Sequence, residues 1–131
     1  MTTEKKFNAD TVYEAAFNQP EYHGDRIYYI IFYVPRSGSW LLCDLLQASG
    51  VMGVPAEYFN MQFGTPEMAK SLAVSETDAI PFPEYVTALK RYRTTPNGVF
   101  GFKVEPKDLN SVIKSRALQT EFAGAKFIFM S

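Results

Sequence analysis

Ile27–Gly50 reads IYYIIFYVPRSGSWLLCDLLQASG, and the fold follows from how its three parts join. Ile27 to Val34 is a nearly unbroken apolar run of β-branched and aromatic residues. Pro35 to Ser39 is a short polar turn that contains Gly38. From Trp40 to Ser49, helical spacing puts Leu41, Leu45 and Ala48 on one face, with Leu42, Leu46 and Ser49 beside them. The stretch therefore predicts a strand, a tight loop and a helix. A strand apolar on both faces predicts a central parallel strand covered on both sides.

A loop that ends at a helix N-terminus is a natural anion site. The first backbone N–H groups of the helix lack intrahelical partners, and the helix dipole favours negative charge there. Arg36 adds a cation with a forked donor geometry suited to phosphate. Ser37 and Ser39 add hydroxyl donors, and Gly38 lets the backbone approach a ligand closely. The loop lacks the pattern G-x-x-x-x-G-K-[ST], so it is not a nucleotide-kinase P-loop.

Working outward, the 131 residues suffice for one domain with a real core, predicted to span 1–131. A hydrophobic share of 47% with 21% charged residues is ordinary for a soluble globular protein. The net charge of −1 gives no electrostatic reason to expect nucleic acid. A single cysteine, Cys43, excludes an intrachain disulfide and a cysteine-based zinc cluster, and reads as a small buried hydrophobe. The longest apolar run is too short to span a bilayer. No apolar stretch follows the N-terminal lysines as in a signal peptide, so the expected compartment is the cytoplasm.

Before the central unit, a short helix is predicted around Thr11 to Phe17. After it, Gly50, Gly53 and Pro55 mark a loop. Thr65-Pro66-Glu67 reads as a helix start, with Thr65 as N-cap and Pro66 at the first helical position. A further helix is predicted over Pro83 to Arg93, with Lys90, Arg91 and Arg93 on a solvated face. Thr94 to Gly98 is a turn by composition. Val99 to Val104 is a second strand, Pro106 to Leu118 a helix, and Lys126 to Met130 a third strand. Strands alternating with helices predict an α/β fold with a parallel sheet and right-handed crossovers.

Pro35 to Ser39, followed by Leu41-Leu42, resembles the 5′-phosphosulfate-binding loop of sulfotransferases that use 3′-phosphoadenosine-5′-phosphosulfate (PAPS). Within these, the chain is most similar to bacterial carbohydrate sulfotransferases of the trehalose type. Three stretches carry the likeness in order: PRSGSWLLCDLLQASGV (35–51), GVPAEYF (53–59) and TPNGVFGFKV (95–104). The resemblance implies a three-layer parallel sheet of the P-loop-NTPase-like sulfotransferase kind, and transfer of a sulfuryl group from PAPS to a carbohydrate hydroxyl without a metal. It makes Arg36, Ser37, Gly38, Ser39 and Trp40 the cofactor-binding residues. Arg36 would also neutralise charge on the bridging oxygen. Glu57, in PAEYF, matches the segment that carries the general base, where the alternative is a surface glutamate. Tyr58 and Phe59 would line the sugar cleft. Lys103 either faces the sulfate or acceptor or is a snorkelling surface lysine.

Two departures qualify the match. Trp40 stands where the family usually has Thr, which removes a hydroxyl donor; it reads as an anchor for the helix start. The family's grip on the 3′-phosphate, an Arg and a downstream Ser, would follow the last strand, so the chain reads as the N-terminal portion of a larger domain. Family members of this type are often dimers, and an open sheet edge adds pressure to associate. The alternative is a sulfotransferase-derived module that binds a sugar or phosphate without turnover.

Overall fold

The apolar run becomes strand β1, Ile27–Tyr33, and it lies at the centre of the sheet. The computed structural model describes residues 6–75, 79–108 and 120–130. Among these, β1 is flanked by β2 (Val99–Val104) and β3 (Lys126–Met130) in the order β2-β1-β3, with both pairings parallel. Ile27 pairs with Val99 and Ile31 with Lys103 on one side, and Tyr29 pairs with Lys126 on the other.

Side chains alternate across a strand, so each face of the sheet has its own cover. One face carries Tyr29, Ile31 and Tyr33 of β1 with Gly101 and Lys103 of β2. Helix α1, Ser39–Ala48, covers it and buries Cys43. The other face carries Phe100 and Phe102, which meet Tyr58, Phe59 and Phe122 in an aromatic cluster. Helix α3, Phe82–Tyr92, joins this cluster through Tyr85, whose ring stands edge-on to Phe59. Helices on both faces of a parallel sheet define the three-layer α/β architecture that the sequence predicts.

The outer edge of β2 is covered by the chain around Gly53 to Ala56. The Lys103 N–H donates to Ala56 O at 3.0 Å. Gly53 has φ +70°, and a Cβ there would lie 3.0 Å from Val99 O, so both conformation and close approach call for glycine. β3 is less sheltered: Phe129 is 78% exposed.

Gly101 fits the ring of Tyr29. A Cβ there would fall 2.1 Å from Tyr29 Cζ, and the Tyr29 hydroxyl is held to Met52 O at 2.5 Å. Gly101→Ala is therefore expected to destabilise the domain by about 1–3 kcal/mol through overpacking. A lowered urea midpoint is the readout; an unchanged midpoint would mean the ring yields freely.

Several local expectations are corrected. In place of a helix over Thr11 to Phe17 there are turns and a 3₁₀ segment, Ala15–Phe17. Asn8 is the reason: its Oδ1 accepts from the N–H groups of Asp10 and Thr11, which holds the chain in an Asx turn. Helix α2 spans Gly64–Ser71, and Thr65 is inside it. Thr65 is a buried tether, its hydroxyl donating to Tyr58 O at 2.8 Å. α2 ends at Ser71, where Ala73 takes a left-handed conformation, φ 56°, and Val74 N–H returns to Ala69 O. Arg93 leaves the solvated face expected for it and is fully buried. Lys90 also turns inward, pairing with Glu121 at 2.5 Å across the rings of Tyr28 and Phe122. Of the helix expected over Pro106 to Leu118, residues 106–108 are helical and 109–119 lie outside the described residues.

Candidate active site

The site forms where β1 and β2 end. The chain leaves β1 through Val34 to Gly38 and enters α1 at Ser39. Arg36 (φ 65°) and Gly38 (φ 82°) both adopt left-handed backbone conformations, which fold this loop back over the strand end. A Cβ at Gly38 would meet nothing within 4 Å, so glycine is needed there for its backbone angle and leaves an open approach. Gly38 is the N-cap of α1 and has no side chain to satisfy the first-turn N–H groups.

Ser37 Oγ is buried and has no hydrogen-bond partner among the described residues. Ser39, at the first position of α1, is buried, and its Oγ accepts from Lys103 Nζ at 2.8 Å. Lys103 is not a snorkelling surface lysine: it is 1% exposed. Its Nζ lies 3.8 Å from the Trp40 ring centroid and 4.3 Å from that of Tyr33, a cation held between two aromatic faces. Burial pushes the ammonium below the ordinary lysine range, while Cys43, Glu57 and Glu105 nearby pull the other way. The Cys43 thiol is pushed up to about 12 by burial and stays protonated.

Glu57 is half-buried on the segment that follows the edge of β2. One of its carboxylate oxygens accepts from the Tyr33 hydroxyl. The same hydroxyl lies 3.0 Å from Glu105 Oε1, just beyond the end of β2. Burial, and then bonding to Glu57, keep the Tyr33 phenol protonated well above the ordinary tyrosine range. The backbone carbonyl of Glu57 fixes its position: a Cβ at Gly64 would fall 1.9 Å from it, so α2 packs directly on this peptide.

The structure thus brings Arg36 to Trp40, Glu57 and Lys103 to one end of the sheet. It does not bring Tyr58 and Phe59 to an open cleft. Both are core residues at most 2% exposed, on the face of the sheet opposite α1. Tyr33 and Glu105 belong to the site and escaped the sequence reading. The available signal was period-two spacing, since Glu105 lies two residues beyond Lys103 and so on the same side of the strand. Exposed His23, beside Glu21 at 3.2 Å, lies in the loop before β1.

A central parallel strand that passes through a glycine-bearing loop into an uncapped helix start defines the class of α/β proteins that take anionic ligands at the carboxyl ends of their strands. The chain belongs to the Stf0 sulphotransferase family, whose sequence model matches residues 28–124. That range covers the loop, Glu57, Lys103 and Glu105. No match is found among curated proteins. No helix among the described residues is long and apolar enough to cross a membrane.

Proposed function

We propose that this sulfotransferase moves a sulfuryl group from PAPS to a carbohydrate hydroxyl. One observation carries the reading: an uncapped helix start, an unpartnered buried serine hydroxyl and a buried lysine converge on a single loop. These groups fit an anion. Ser37 Oγ has a donor to offer, the Gly38 side is open, and the first-turn N–H groups of α1 lack a capping side chain. When bound, PAPS supplies the sulfuryl group together with a stable phosphate leaving group.

Arg36, Ser37, Gly38 and Ser39 hold the phosphosulfate end through guanidinium, hydroxyl and backbone donors. Trp40 supports the site differently from the threonine it replaces, by covering Lys103 and excluding water from it. Lys103 fixes the Ser39 hydroxyl and adds positive charge beneath the loop, where a low dielectric strengthens its effect. Glu57 takes the proton of the attacking hydroxyl, with Tyr33 holding its carboxylate in place. A binding module without turnover needs the loop alone and has no use for a carboxylate beside a buried lysine, so catalysis is the favoured reading.

Binding of adenosine 3′,5′-bisphosphate plus sulfate, followed by calorimetry, tests the cradle. Arg36→Ala removes a charge-assisted contact worth roughly 1.5–3 kcal/mol, so affinity should fall about 10- to 100-fold. Equal affinity in the variant would remove the loop from the binding site.

A further inference from the structure

We propose that Glu57, Tyr33 and Glu105 form a proton relay, with Glu105 as the group that releases to solvent the proton taken from the acceptor. The inference rests on the reading of Glu57 as base and assigns roles to two residues beyond it.

The argument is one of hydrogen count. The Tyr33 hydroxyl touches a carboxylate oxygen on either side, Glu57 and Glu105 Oε1. A phenol has one hydrogen to donate, and an ionised carboxylate has none. With both carboxylates ionised, one of the two contacts sets lone pair against lone pair. A single added proton removes that conflict: one carboxyl donates to the Tyr33 oxygen while Tyr33 donates to the other. The cluster is therefore built to accept one proton, and the proton can sit at either end.

The two ends differ in their surroundings. Glu57 sits beside Tyr13, Cys43, Lys103 and Asp108, and α2 is packed on its peptide. Glu105 turns Oε1 inward to Tyr33 and Oε2 outward, 3.9 Å from the half-exposed Lys107 ammonium. Lys103 and Asp108 also face it. The two carboxylates are buried to a similar degree, and what distinguishes Glu105 is its second oxygen, directed at the half-exposed Lys107 and so toward solvent.

The proton balance is as follows. As the acceptor oxygen bonds to sulfur, its O–H bond breaks and the proton passes to Glu57. Glu57 gives a proton to the Tyr33 oxygen while the Tyr33 hydrogen moves to Glu105 Oε1. Glu105 then loses a proton to water, and Glu57 returns ionised. Tyr33 ends as it began, a phenol.

The test is kinetic. Tyr33→Phe removes the hydroxyl that joins the two carboxylates, so it should slow turnover about as much as Glu105→Gln, and the double variant should be no slower than either single one. Losses that simply multiply in the double variant would overturn the relay. Glu105→Gln keeps the shape and can still donate to Tyr33 but cannot receive the proton. It should shift the acid limb of the pH–rate profile and slow turnover at least about tenfold at unchanged cofactor affinity. An unmoved profile in Glu105→Gln, with Glu57→Gln inactive, would overturn the relay and leave the base standing. An active Glu57→Gln would overturn both.

Discussion

Glu57→Gln should lower turnover by about 10²–10⁴-fold and leave binding of the cofactor product nearly intact. The amide has the outline of the carboxylate, and its oxygen can still accept from the Tyr33 hydroxyl, so the site keeps its shape. What is lost is the capacity to take a proton from the attacking hydroxyl. Among the described residues no hydrogen bond joins Glu57 to the loop of residues 35–39: Ser39 is held by Lys103 instead, and Arg36 is exposed. Binding and turnover should therefore separate. Transfer of radiolabelled sulfate to trehalose and other sugars, alongside calorimetry, reads the two effects. A variant that turns over at the native rate would make Glu57 a structural residue held by Tyr33.

Arg93→Met should cost several kcal/mol of stability. Arg93 follows α3, and its guanidinium donates to Val12 O at 2.6 Å, Glu14 O at 3.0 Å, Asn18 Oδ1 at 3.0 Å and Tyr58 Oη at 3.3 Å. It stitches the irregular N-terminal segment to the core, next to the peptide that carries Glu57. Methionine keeps much of the apolar stem but donates nothing. Four hydrogen bonds are lost with the guanidinium, and among their acceptors the carbonyl of fully buried Val12 loses this donor; a buried acceptor without a partner costs about 1–3 kcal/mol. Domains of this size are stable by only about 5–15 kcal/mol in total, so the loss is a large share. The thermal midpoint by circular dichroism should drop steeply. A midpoint within a degree or two of the native protein would show that water replaces the guanidinium.

The sheet was legible because its strands are short, nearly continuous apolar runs, as expected of a parallel sheet covered on both faces. β1 and β2 contain no stretch of alternating polar residues, and both fall where the sequence puts them. The loop proposed to hold the anion stood out for a chemical reason: a basic residue, hydroxyls and a glycine are placed just before an apolar helix. What stayed hidden depends on contacts between distant segments. The burial of Arg93 requires carbonyls of residues 12 and 14, which no local pattern reveals. The absence of a helix at Thr11 reflects one Asn8 side chain competing for backbone N–H groups. Tyr58 and Phe59 sit beside Glu57 in sequence, but the chain alternates direction, so the carboxylate reaches the site and the rings go under the sheet. The link from Tyr33 to Glu105 joins the ends of two strands that are neighbours only after folding.

Synthesis delivers β1 first, yet its hydrogen-bonding partners begin at Val99 and Lys126. Until those segments have been made, the central strand is an apolar ribbon with both edges open. Pairing over such sequence distances is slow, because a long loop must close before any contact rewards it. An open apolar edge is meanwhile a template for other chains. The loop that leaves β1 therefore rests on a strand whose pairing waits for distant segments, and the recovery of folded protein should depend on chain concentration and on how long a chaperone shields β1.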